Sequence, residues 1–169
     1  MITTKHFLIR PIKDSEYSDL LKIYRVDKNM QFIETGKYNW TLEELKEKWN
    51  QLVWSDEKQY GFLVVILKSE NKVIGECGYL KTKNSEKAEL EIAYLIDHKY
   101  WGNGFGIEIC KALIDYGFTR LGLQRMIAGM YKANTASAAV SKKSGMQLIK
   151  EGITSAGIAF QTYEIKLKS

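Results

Sequence analysis

Apolar positions repeat along nearly the whole chain, and the period changes from one segment to the next. Phe7-Leu8-Ile9-Arg10-Pro11 predicts a first strand that stops at the only proline. Asp14 or Ser15 then offers a helix cap, and Tyr17, Leu20, Leu21 and Tyr24 share one face of a helix reaching about Val26. Residues 27–40 read as a loop carrying Phe32, Tyr38 and Trp40. Thr41-Leu42-Glu43-Glu44 has the spacing of a capping box, with Leu45, Trp49 and Leu52 as the buried stripe behind it. Strands are predicted at 60–67 and 72–80, either side of Ser69-Glu70-Asn71, and a third at 87–96. Helical spacing returns over 104–121, through Ile107, Cys110, Leu113, Ile114, Gly117, Phe118 and Leu121. A short strand at 124–130 precedes a helix that starts at Asn134 and ends near Gly145. Strands at 147–154 and 159–167 close the chain around Ser155-Ala156-Gly157.

The resulting order, β-α-α-β-β-β-α-β-α-β-β, holds seven strands and four helices in one α+β domain of 169 residues. The strands at 88–96 and 124–130 flank a helix, so they should be parallel and joined right-handedly. The other strands are expected to be mostly antiparallel.

Between the third of the central strands and its helix lies Tyr100-Trp101-Gly102-Asn103-Gly104-Phe105-Gly106-Ile107. A strand feeding a glycine turn and a helix N-terminus can hold phosphate, because amides converge there and the helix end carries about half a positive charge. A Walker loop would require Lys-Ser/Thr after the last glycine, and Ile107-Glu108 stands there instead. A dinucleotide fingerprint would require GxGxxG in a first βα unit. The spacing here is GxGxG, after several strands. A plain tight turn is the remaining alternative.

Composition narrows the classes. Hydrophobic content of 45% and charged content of 27% are those of a globular domain. The longest apolar run, 62–67, is too short to span a bilayer, and the N-terminus has no secretory apolar region, so a cytoplasmic protein without membrane contact is expected. Two histidines and two separated cysteines, Cys77 and Cys110, do not suggest a metal centre or a disulfide framework. Both cysteines are expected in the core. The net charge of +5 is spread without a basic run, which argues against nucleic acid and is compatible with an anionic cofactor.

Taken together, the Leu8-Ile9-Arg10-Pro11 opening, the Glu91-Ile92-Ala93-Tyr94 strand, the Trp-Gly-Asn-Gly-Phe-Gly turn and Asn134-Thr135-Ala136-Ser137 with Lys143-Ser144-Gly145-Met146 resemble the GNAT superfamily of N-acetyltransferases. The similarity is greatest to the branch that acetylates N-terminal amines of ribosomal proteins, and it covers essentially the whole chain. Trp101 takes the place of the superfamily's usual Arg/Gln, as it often does in that branch, and Met146 replaces a usual Phe. The resemblance implies a GNAT-type fold, a mixed sheet splayed at its parallel pair, with acetyl-coenzyme A as cofactor. It implies that Trp101, Gly102, Asn103, Gly104, Phe105, Gly106 and Ile107 form the pyrophosphate turn. The backbone of Leu95 and Ile96 would pair with the pantetheine arm like an added strand. Asn134, a natural N-cap by residue type, would also hydrogen-bond that arm.

Acetyl transfer to an amine needs a neutral nucleophile, a stabilised oxyanion and a proton for the departing thiolate. Deprotonating a lysine-like amine costs about 4–5 kcal/mol at neutral pH, whereas an α-amine costs about 1 kcal/mol. Several members of the family place a catalytic glutamate on the strand before the turn, and the resemblance makes Glu91 the candidate base for direct attack without a covalent intermediate. Glu89 points to the same face and is a second candidate, and a pair of carboxylates would raise one pKa. Cross-strand ion pairing is the structural alternative for both. Ser137 is the candidate for steadying the thiolate, and a backbone N–H near Tyr94 or Leu95 for the oxyanion. The acceptor, a small-molecule amine or a polypeptide N-terminus, would enter between the 27–40 loop and the last hairpin. A non-catalytic acyl-coenzyme A sensor is the other function this fold allows. A homodimer is common in the branch.

Overall fold

The computed structural model describes residues 1–33, 36–55, 57–82 and 89–167. Eight strands form one sheet in the order β1-β2-β3-β4-β5-β6-β8-β7. They are β1 (Ile2–Thr3), β2 (Phe7–Arg10), β3 (Gly61–Leu67), β4 (Lys72–Lys81), β5 (Leu90–Ile96), β6 (Arg125–Tyr131), β7 (Gln147–Ile153) and β8 (Ala159–Lys166). The described α-helices are α1 (Tyr17–Tyr24), α2 (Asp27–Met30), α3 (Leu42–Leu52), α4 (Phe105–Thr119) and α5 (Thr135–Lys143). None of the described helices is long and apolar enough to cross a membrane.

The α+β class and the parallel β5–β6 pair are as the pattern predicts, and every other pairing between the eight strands is antiparallel. Among the described residues the strand and helix counts are corrected to eight and five. Strand β1 is only two residues long and exists because Ile2 pairs with Ile9. Helix α2 is one turn inside the expected loop. Neither spans two hydrophobic periods, so no periodicity announces them. The first helix also begins differently. A 3₁₀ turn over Asp14–Glu16 precedes α1, and Glu16, not Asp14 or Ser15, bonds the turn, accepting from Lys13 N–H at 2.8 Å and from both Arg10 guanidinium nitrogens. The predicted strand start at Lys87 and Ala88 lies outside the described residues.

Each sheet face carries its own core. On one face α4 and α5 lay Ile109, Cys110, Leu113 and Ala138 over Ile92, Ile96, Met126 and Tyr163. On the other, α1 and α3 lay Leu20, Leu21, Tyr24, Leu45 and Trp49 over Phe62, Val64, Ile66 and Leu95. Strand β3 is buried along its full length because both faces are covered, which is why its sequence runs apolar without alternation. Cys77 and Cys110 are buried, and that burial pushes both thiols up in pKa, as suits core residues.

Candidate active site

The parallel pair parts soon after it forms. Glu91 opposite Ile127 is its one paired position. The next rung would join Ala93 to Gly129, but the Gly129 N–H donates instead to Glu91 Oε1 at 3.0 Å. Gly129 permits this close approach, since a Cβ there would stand 2.9 Å from that oxygen. A carboxylate thus takes a ladder position at the mouth of the gap.

Alternation along β5 determines which amides face the opening. Asp97 N–H bonds Ile74 O at 2.8 Å, and the β4–β5 register is continuous, so Leu95 turns its main chain toward β4. Tyr94 and Ile96 therefore turn theirs toward the gap. This corrects the expectation for Leu95, whose side chain lines the slot while its backbone is engaged elsewhere. Of the two proposed oxyanion donors, only the Tyr94 N–H faces the opening. The Ile96 carbonyl already accepts from Trp101 Nε1 at 2.8 Å, which fixes the indole against the strand end.

The glycine turn is preshaped. Gly102 and Gly104 have φ of +82° and +77°, conformations that a Cβ disfavours, and Gly104 sits at the N-cap of α4. Asn103 Nδ2 donates to Tyr100 O at 3.1 Å and holds the loop from within. The N–H groups of Gly102, Asn103, Gly104, Phe105 and Gly106 have no partner among the described residues. The Trp101 and Ile107 N–H groups do, on His98 O and Gly104 O at 3.1 Å each. The amide cradle therefore runs from Gly102 to Gly106 and stops short of Ile107, where the first helical turn reclaims the donor.

A cavity of about 400 Å³ follows from this cradle along β5 to the start of α5, lined by Tyr94, Leu95, Ile96, Trp101, Asn134 and Ser137, among others. Asn134 is the N-cap of α5, its Oδ1 accepting from Ser137 N–H at 3.1 Å. Lys28 and Lys143 also line the cavity. The Tyr94 hydroxyl is buried in the wall without a hydrogen-bond partner. Burial pushes it well up in pKa, Cys110 adds to this, and the nearby Ser137 hydroxyl opposes it. Five unpartnered amides and two lysines along one slot suit a long ligand with an anionic end.

Across the sheet lies a second cavity of about 740 Å³, and it meets the first at Phe32, Ile33, Tyr94 and Leu95. Its wall includes Glu91, Glu76, Lys48, Trp40, Thr154 and Phe160. The residues that flank it come from the 27–40 segment and the last hairpin, as expected, although Tyr38 points out to solvent. Glu91 and Glu89 do not act as a pair. Glu89 is ion-paired with Arg125, which also binds Glu164 at 2.7 Å, and Glu89 is not part of the cleft wall. Pattern alone could not reveal this, because Arg125 comes from another strand 36 positions later.

Two joined cavities, one of them with an amide cradle, are what an enzyme that moves a group from a phosphate-bearing donor requires. The acetyltransferase (GNAT) domain family matches residues 6–147, and the chain belongs to that family. Over 147 residues it is 30% identical to the N-acetyltransferase YnaD of Bacillus subtilis (strain 168), covering 86% of this chain and 82% of that one. An acetyltransferase structure from Bacillus anthracis superposes with a TM-score of 0.83 at 24% identity, covering 98% and 97% of the two chains. The ribosomal L7/L12 α-N-protein acetyltransferase RimL, solved with coenzyme A, superposes at 0.78 with 15% identity, covering 97% and 96%. The protein is accordingly an N-acetyltransferase that uses acetyl-coenzyme A.

Proposed function

We propose that this enzyme acetylates a primary amine that enters the larger cavity and attacks the thioester directly at the gap between β5 and β6. Acetyl-coenzyme A supplies the acetyl group as a thioester. The amides of Gly102 to Gly106 hold the diphosphate, with Lys28 and Lys143 adding charge, and Ile96 and Asn134 orient the arm. The single observation that carries this reading is the joining of the two cavities at Tyr94 and Leu95.

Each chemical requirement then has a group near that junction. The Glu91 carboxylate stands in the cleft wall and accepts the proton that the attacking amine must lose. The Tyr94 N–H faces the opening and donates to the developing oxyanion. Ser137, in the wall of the other cavity, donates a hydrogen bond to the departing sulfur. Glu89 retains only a supporting role, holding Arg125 beside the same strand. A polypeptide N-terminus and a small amine both fit this chemistry, and the α-amine makes the smaller demand on the base.

The test is thiol release from acetyl-coenzyme A over a panel of amines. Release that depends on an amine is expected, whereas coenzyme binding without release under any amine would indicate a sensor. Glu91→Gln keeps an oxygen for the Gly129 N–H but removes the base. It should lower turnover at least tenfold with coenzyme affinity little changed. Wild-type turnover with an unaltered pH–rate profile would remove Glu91 from the mechanism.

A further inference from the structure

Trp40, Lys48, Phe62 and Glu76 line the larger cavity, and with the buried Tyr24 behind them they form a cation box that the chain fills with its own lysine. Lys48 Nζ lies 4.4 Å from the ring centroid of Tyr24, 5.4 Å from that of Phe62 and 5.6 Å from that of Trp40. The same ammonium stands 3.8 Å from Glu76 Oε1 and donates to the Tyr24 hydroxyl. The Glu76 side chain is only 5% exposed. Its two oxygens accept from Tyr24 Oη at 2.5 Å and from Trp49 Nε1 at 3.0 Å.

The walls of this box are fixed by bonds that do not involve Lys48. Trp49 holds one Glu76 oxygen, and Tyr24, held by the other, meets Trp40 edge to face at 5.4 Å. Trp40 is pinned through its indole N–H to Lys37 O and through its carbonyl to Arg25 Nε, both at 2.8 Å. The lysine is the adaptable part, a flexible four-carbon stem from α3. Three rings and a desolvated carboxylate make a site for an ammonium group, and such a carboxylate is costly to leave without a cation. None of the acetyl-transfer steps uses it.

We propose that the box formed by Tyr24, Trp40, Phe62 and Glu76 is a subsite for the second ammonium group of a diamine acceptor, which displaces Lys48. The proposal rests on the acetyltransferase reading and narrows its substrate class. Glu76 lies directly opposite Leu95 in the β4–β5 register, one strand away from the junction of the cavities. With adjacent strands ~4.8 Å apart, a cation in the box stands roughly 5–8 Å from an amine at the gap. That is the span of a short diamine. One ammonium fills the box while the other loses its proton to the base.

The experiment compares 1,4-diaminobutane with butylamine, using the full chain and acetyl-coenzyme A. The wild type should favour the diamine in kcat/KM by at least tenfold. Lys48→Met removes the competing charge and keeps the stem's bulk, so KM for the diamine should fall about fivefold and the preference should widen. Glu76→Gln should abolish the preference if it folds, which circular dichroism would establish. Equal use of the two amines by the wild type, or loss of diamine use in Lys48→Met, would overturn the subsite. If neither amine is acetylated, calorimetry of 1,4-diaminobutane against the coenzyme A complex decides separately. Binding tightened by Lys48→Met sustains the box, and no binding overturns it, whichever way the catalytic reading stands.

Discussion

Gly129 and Glu91 show how one atom of space sets the site. A Cβ at Gly129 would stand 2.9 Å from the carboxylate oxygen that its own N–H now holds. Gly129→Ala must therefore move Glu91, while the glycine turn and α5 lie elsewhere. Turnover is expected to fall about tenfold with coenzyme affinity retained, readable as a change in kcat without a change in calorimetric Kd. Equal loss of both would mean that the gap itself had closed. Tyr94 and Leu95 carry the complementary lesson. Both residues are legible as neighbours of the turn, but which one offers its amide depends on the β4 register, and that register is a pairing between distant segments.

At the level of elements, local signals translate well and long-range ones do not. The capping box at Thr41 forms as its spacing predicts, Thr41 Oγ1 accepting from Glu44 N–H at 3.2 Å and the Glu44 carboxylate accepting from Thr41 N–H at 2.9 Å. The glycine turn, the start of α4 and the Asn134 cap are equally local and equally legible. The Glu89–Arg125 pair and the Lys48–Glu76 box join separate elements, so residue type alone could not announce them. Helix α4 provides a further case through Glu108 in its first turn. Glu108 accepts from His6 N–H at 2.8 Å, and its other oxygen lies 2.6 Å from His6 Nδ1. Burial raises the Glu108 pKa, but these bonds and one from Thr4 outweigh it and hold the carboxyl below its usual range. A carboxyl lowered on folding stabilises above its unfolded value, ~4.3, and loses that contribution as pH falls through the folded value. Glu108→Gln should cost about 1 kcal/mol near pH 7. Urea unfolding should show the difference shrinking as pH falls below the unfolded value of ~4.3, and a constant difference would contradict the assignment.

For the whole molecule, the sheet acts as a partition. One core fastens α4 and α5 to the face where the coenzyme slot opens, and the other fastens α1 and α3 to the face where the acceptor cavity opens. The parting of β5 from β6 connects them, and in the proposed function donor and acceptor approach from opposite sides. In the proposed function, the unpartnered amides from Gly102 to Gly106 grip a diphosphate and thereby aim a thioester along the gap. Calorimetry with coenzyme A and with pantetheine, which lacks the diphosphate, tests this most directly. Coenzyme A should bind at least a hundredfold more tightly than pantetheine, a difference of about 2.7 kcal/mol. Equal affinities, or no coenzyme A binding at millimolar concentration, would contradict it.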